Sequence, residues 1–256
     1  MSSKKNKLYF ASDFHLGVPS SDESLKREKL IVKWLDEIKE DAAEVFLVGD
    51  IFDFWFEYKR VIPKGFIRLQ GKIVELVDKG IKVHFFTGNH DMWMFDYFQQ
   101  ELGVEMHRNP IVKDVDGLKL YIGHGDGLGP GDKSYKFLKR IFTNKFFQWC
   151  FARLHPNFGI ALANLSSKKS RAKTGNNDEV FLGEEKEWLV QYAKEQIKEN
   201  HFDYFIFGHR HLPLEIQINE NSKYINLGDW IKYNTYAVLD NGEIALKVYP
   251  SHREVK

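Results

Sequence analysis

A chain of 256 residues with 43% hydrophobic side chains can build one sizeable domain carrying an insertion, or two small domains. Its 29% charged and 15% aromatic content sets it apart from disordered and low-complexity chains. A net charge of +1 argues against a nucleic-acid partner, a single cysteine rules out an intramolecular disulfide, and no apolar run approaches the roughly 18 residues of a membrane span. Residues 1–7 hold no apolar signal core, so a cytoplasmic location is expected, with any membrane contact peripheral.

In chain order, residues 8–12, 45–48, 83–86, 118–122 and 204–207 are short apolar runs of the kind that form buried strands. Between the first three lie stretches with helical spacing, 23–38 and 63–79, the second opened by Pro63 and closed by Gly80. After Leu118 the pattern shifts toward strands and ends in a hairpin that turns at Asp240-Asn241-Gly242. The fold class expected is therefore mixed α/β (α+β), one main domain without repeats or a Pro/Gly linker.

Residues 132–173 stand apart, with ten lysines and arginines against one acid, a net +9 interleaved with aromatics. We expect an inserted helical cap over 132–177, with the core formed by 1–131 and 178–256. Such a block suits an anionic partner, either phosphate or an acidic membrane surface; a solvated helix face would carry the same pattern.

Every predicted strand is followed at once by polar groups able to bind a metal: Asp13-Phe14-His15, Gly49-Asp50, Gly88-Asn89-His90-Asp91, Gly123-His124-Gly125-Asp126 and Gly208-His209-Arg210-His211. In α/β sheets the strand ends open into a shared crevice where ligands sit. Asp13 with His15, and His209 with His211, are spaced so that each pair can aim at one center if the local backbone is extended. Alone, Asp-x-His reads as a cap, Gly-Asn-His-Asp as a turn and His-x-His as an accident, but five in order behind five strands do not. Mixed carboxylate and imidazole donors suit Mn²⁺, Fe²⁺ or Zn²⁺, and seven ligands exceed the need of one ion, so two ions sharing Asp50 are expected.

Together these motifs resemble the signature of the calcineurin-like metallophosphoesterases. The resemblance implies a four-layer α/β/β/α sandwich, one metal held by Asp13, His15, Asp50 and His211, and a second held by Asp50, Asn89, His124 and His209. It also implies two-metal phosphoester hydrolysis, with His90 beside the leaving group as a catalytic residue. Asp91 either orients His90 or stabilizes the turn.

Within that superfamily, Gly49-Asp50-Ile51-Phe52-Asp53-Phe54-Trp55 and His124-Gly125-Asp126-Gly127-Leu128, followed by Asp132 and Tyr135, are similar to the UDP-2,3-diacylglucosamine pyrophosphatase family of the lipid A pathway. That likeness implies an acylated nucleotide-sugar substrate, Mn²⁺, a cap that holds acyl chains, and a peripheral place on the inner membrane. Asp132 and Tyr135 match its substrate-binding positions; Ser167, Lys168 and Arg171 are further candidates. Where its best-known members carry arginine this chain has His90, the residue typical of the wider superfamily. A phosphodiesterase or nuclease, whose basic cap grips a nucleic-acid backbone, and a non-catalytic binding module on the same scaffold are the other readings.

Overall fold

The computed structural model describes residues 6–130, 133–174, 180–181 and 183–250, except the side chains of residues 134, 164, 166 and 168–174. Strand β1 (Lys7–Ala11), helix α1 (Ser21–Ile38), β2 (Ala42–Val48), α2 (Ile67–Asp78), β3 (Lys82–Phe86), α3 (Tyr97–Leu102) and β4 (Glu105–His107) alternate as the apolar runs predict. Next come β5 (Ile111–Val115) and β6 (Leu118–Gly123), then three helices, α4 (Lys133–Thr143), α5 (Lys145–Phe151) and α6 (Pro156–Thr174). Helix α7 (Trp188–Gln196), β7 (Tyr204–Phe207), β8 (Pro213–Asn219), β9 (Ser222–Leu227), β10 (Thr235–Asp240) and β11 (Glu243–Val248) complete the chain.

Two mixed sheets result, in the orders β11-β10-β1-β2-β3-β4 and β5-β6-β7-β9-β8. Strands β1 to β4 run parallel, as do β6, β7 and β9, and the final hairpin adds β10 and β11 antiparallel beside β1.

The period of two along each strand builds the layers. Tyr9, Ala11, Val45, Leu47, Val83 and Phe85 face α1, α2 and α3, where Trp34, Ile73 and Phe98 are buried. Leu8, Phe10, Phe46, Val48 and Phe86 point the other way, against Ile122, Ile206 and Ile225 of the second sheet. That sheet's outer face, with Phe205, Phe207 and Tyr224, is covered by Leu189, Val190 and Ala193 of α7. The fold is a four-layer α/β/β/α sandwich.

Helix starts differ from the sequence reading. Helix α1 begins at Ser21 rather than Glu23, because the Ser20 hydroxyl accepts from Glu23 N at 3.2 Å and caps it. Helix α2 begins at Ile67, four residues past Pro63: Phe66 sits at φ 55°, and the buried Glu28 carboxylate of α1 takes the amides of Arg68 and Leu69 at 2.9 and 3.1 Å. A tertiary contact starts this helix. Glu28→Ala leaves those two amides without that acceptor, and urea unfolding is expected to show a loss of about 1–3 kcal/mol.

Candidate metal centre

The loops after β1 and β2 pair backbone to backbone, Asp13 N to Gly49 O at 3.0 Å, His15 N to Asp50 O at 2.9 Å and Leu16 N to Ile51 O at 3.0 Å. The loop after β7 is joined to that after β6 by Gly208 N donating to His124 O at 3.0 Å. These bonds set the strand-end side chains in one place.

Each of two buried carboxylates then divides its oxygens. Asp13 Oδ2 accepts from His209 N at 3.0 Å, while Oδ1, buried without a hydrogen-bond partner, faces His211 Nε2 at 3.2 Å and His15 Nε2 at 3.7 Å. Asp50 Oδ1 accepts from His90 N at 2.8 Å, while Oδ2 lies 3.4 Å from His124 Nε2 and 3.8 Å from His15 Nε2. His15 Nε2 and His211 Nε2 are 3.0 Å apart, and Asn89 Oδ1 lies 3.3 Å from His124 Nε2. The seven residues expected as ligands are thus gathered into two groups that meet at Asp50: Asp13, His15, Asp50 and His211 on one side, Asp50, His124 and His209 with Asn89 on the other. An orphaned carboxylate oxygen among converging imidazole nitrogens is an arrangement that fits divalent cations.

The pairs do not converge through extended backbone, as the two-residue spacing suggested. Asp13 (φ 55°), His15 (43°), Asp50 (51°), His209 (66°) and His211 (55°) all adopt the left-handed conformation. Such strain persists where surrounding structure over-determines it, here the backbone bonds between the loops. Two glycines allow the crowding. Gly49 has φ 83° and a Cβ there would lie 2.6 Å from the His124 ring; a Cβ on Gly88 would lie 2.2 Å from Asp50 Oδ1.

Burial opposes ionization of Asp13 and Asp50, but the imidazoles beside them, His211 and His124 respectively, outweigh it and hold both carboxyls well below the usual range. For His124 burial likewise opposes the charge, yet Asp50 with Asp13 and Asp126 pushes it up to about 10. Its Nδ1 donates to Val48 O at 2.9 Å, so Nε2 is the atom turned to Asp50. Burial pushes His209 and His90 down to about 4, leaving both neutral near pH 7.

Of the two roles open to Asp91, the geometry is that of a turn support. Its oxygens accept from Gly88 N at 2.7 Å, Ile51 N at 2.8 Å and Phe52 N at 3.3 Å, tying two ligand loops together, and burial pushes its carboxyl up to about 7. His90 is positioned by Asp53 instead, with Nδ1 3.0 Å from its carbonyl oxygen and 3.7 Å from Oδ1. The carbonyl only accepts, so Nδ1 carries the proton.

Cap helices reach this center. Ser167 of α6 donates to Asp53 Oδ2 at 3.1 Å and lies 3.3 Å from His90 Nδ1. Tyr135 of α4 donates to Asp126 Oδ2 at 2.6 Å, its ring 6.3 Å from that of His209. Lys139 joins the same carboxylate at 2.5 Å. Asp132 and the side chains of Lys168 and Arg171 lie outside the described residues.

Asp53 and the Arg210–Glu187 pair were given no role in the sequence, and Asp126 was read only as one of the polar groups behind its strand. Arg210, between two histidines of the center, is buried and forms a bidentate pair with Glu187 at 3.0 and 3.2 Å, with a further bond to Val180 O. Asp53 had a signal in its place in Gly49-Asp50-Ile51-Phe52-Asp53, as Asp126 had in His124-Gly125-Asp126-Gly127-Leu128.

Residues 7–213 match the family model described as calcineurin-like phosphoesterase. The chain belongs to that family. As a calcineurin-like phosphoesterase it is a metal-dependent hydrolase. It is 37% identical to a UDP-2,3-diacylglucosamine hydrolase of Porphyromonas gingivalis over 95% of this chain and 97% of that one. A protein of the same name from Actinobacillus succinogenes is 29% identical over 88% of this chain and 92% of that one. A phosphoesterase from E. coli, Yfce, superimposes with a TM-score of 0.41 and 16% identity over 94% of this chain and 98% of that one.

Because His124 holds a proton up to about pH 10, cation capture at pH 7 must displace it. Titration calorimetry at pH 7 in buffers of different ionization enthalpy is expected to show net proton release on cation binding. Heats that do not depend on the buffer would contradict this assignment.

Proposed function

We propose that this phosphoesterase cleaves the pyrophosphate bond of UDP-2,3-diacylglucosamine, releasing UMP and 2,3-diacylglucosamine 1-phosphate for lipid A synthesis. The observation that carries this is the 37% identity with the Porphyromonas gingivalis hydrolase across nearly the whole of both chains, cap helices included.

In this reading Asp13, His15, Asp50 and His211 hold one ion, and Asp50, Asn89, His124 and His209 hold the other, Mn²⁺ being favored over Fe²⁺ or Zn²⁺. When bound, the ions supply an activated water and neutralize phosphoryl oxygens. His90, held through Nδ1 by Asp53, is assigned to the leaving group; being neutral, its Nε2 must take up a proton before it can donate one there. Asp91 acts only by fixing the loops that carry Asp50 and Asn89.

The cap, proposed as residues 132–177 inserted into a core of 1–131 and 178–256, supplies the substrate contacts. Tyr135 and Ser167 stand at the two ends of the center, and Asp132, Lys168 and Arg171 are assigned to the phosphates and sugar. Its apolar residues divide in a way that favors a lipid over simple packing. Phe142 and Phe151 pack on Trp93 of the core, with ring centroids 5.4 and 4.7 Å away, whereas Phe137, Phe146, Trp149, Phe158 and Leu165 are more than half exposed. Exposed apolar side chains among lysines suit acyl chains and an anionic bilayer surface. No helix among the described residues is long and apolar enough to cross a membrane. The exposed apolar and basic cap favors the cytoplasmic surface of the inner membrane as the site of action.

Two measurements test this. With Mn²⁺, the protein is expected to release UMP from UDP-2,3-diacylglucosamine far faster than it cleaves bis(p-nitrophenyl) phosphate. Good turnover of the simple diester without UMP release would overturn the substrate assignment and favor the phosphodiesterase reading. Asp50→Asn is expected to lose both ions and more than about 100-fold in turnover, exceeding the effect of outer contacts to a metal site. Unchanged turnover would remove Asp50 from its bridging place.

A further inference from the structure

A second convergence of imidazoles and carboxylates lies at the edge of the six-stranded sheet, on residues the catalytic center does not use. Parallel pairing of β3 with β4 sets His84 opposite Glu105 and Phe86 opposite His107, so His84, Glu105 and His107 share one face. His84 Nδ1 and His107 Nε2 are 3.0 Å apart. Glu105 Oε2 lies 3.5 Å from the first nitrogen and Oε1 3.7 Å from the second. One donor atom from each residue falls within 4.8 Å of the others.

The far side of His84 is already committed. Its Nε2 lies 2.7 Å from Glu44 Oε2, and the same oxygen is 2.9 Å from Lys113 Nζ. With the Lys113 ammonium donating to that oxygen, Glu44 is an acceptor and His84 Nε2 bears the proton. The lone pair of Nδ1 is therefore turned toward His107 and Glu105. A carboxylate behind an imidazole that presents its other nitrogen is the usual support of a metal-ligating histidine. The nitrogen separation also equals that of His15 and His211 in the metal center, 3.0 Å. A proton shared by His84 and His107 would satisfy those two rings, yet it leaves Glu105 beyond hydrogen-bond distance of either.

We propose that His84 Nδ1, His107 Nε2 and the Glu105 carboxylate form a third divalent-cation site, structural and separate from the catalytic pair. Two nitrogens and one oxygen with a water in the fourth position suit a tetrahedral borderline ion such as Zn²⁺ or Co²⁺. The ion would staple the three-residue edge strand β4 to β3. His107 is followed by Arg108, and both line a cavity of about 220 Å³ shared with His124 and Asp126, so the staple would also brace a wall beside the center.

Metal-stripped full-length protein is titrated with Co²⁺, following visible absorption and bound metal by equilibrium dialysis. Three equivalents are expected for the wild type. Glu105→Ala changes an exposed side chain and is expected to bind two, with activity on bis(p-nitrophenyl) phosphate unchanged. His107→Ala is expected to lose the same equivalent, and Glu44→Gln to weaken it about 10–100-fold. Two equivalents in the wild type, or three retained in both Glu105→Ala and His107→Ala, would overturn the proposal.

Discussion

The site depends on how two buried carboxylates share out their oxygens. Asp13 and Asp50 each give one oxygen to the backbone amide of a different strand's loop, that of His209 or His90, and turn the other to the imidazoles. The amide bond fixes the carboxylate plane before any cation arrives, and low-dielectric surroundings strengthen the field it projects. The parallel register of β1, β2 and β3 brings the loops of Asp13, Asp50 and His90 level, and the His209 loop comes from β7 of the second sheet. Gly88 then lets its loop lie against Asp50 at a distance no side chain would tolerate. Fold and chemistry are joined at this point: a shift of one strand would move both the acceptor and its amide.

The cap is anchored by the loop that carries Asn89 and His90. Trp93, three residues beyond His90, donates through Nε1 to Phe142 O at 2.7 Å and packs against Phe54, Phe56 and Phe151. Glu57 secures the next stretch by accepting from the amides of Phe95 and Asp96 at 2.6 and 2.8 Å. The cap therefore rests on the metal loops themselves, and Ser167 reaches Asp53 from that footing.

Much of this was legible in the chain. Five apolar runs with polar residues directly behind them located the strands and the ligand types, because burial on both faces forces an unbroken apolar segment and strand ends force convergence. Two edge strands were not legible: β8 alternates weakly, with a single buried residue, and β4 has only three residues. Partners formed across the fold left no local trace. Asp53 meets His90 across 37 positions and Arg210 meets Glu187 across 23, so each looked like a spacer. The backbone at the ligands was misjudged for a related reason, since a spacing of two is shared by extended chain and by alternating left-handed turns. In the cap, the sequence showed aromatic density, but only packing separates Phe142 and Phe151, which hold it down, from Phe146 and Trp149, which face outward.

The left-handed backbone at Asp13, His15, Asp50, His209 and His211 limits how this center can vary. Among residues with a side chain, Asn, Asp and His enter that region most readily, while β-branched and bulky residues are excluded on steric grounds. These are also good metal donors, so the conformation and the coordination demand the same short alphabet. Glutamate and cysteine satisfy the chemistry but not the backbone, and glycine the reverse. The loops thus filter their own substitutions, and a lineage that changed metal preference at these five positions would have to move mainly within aspartate, asparagine and histidine.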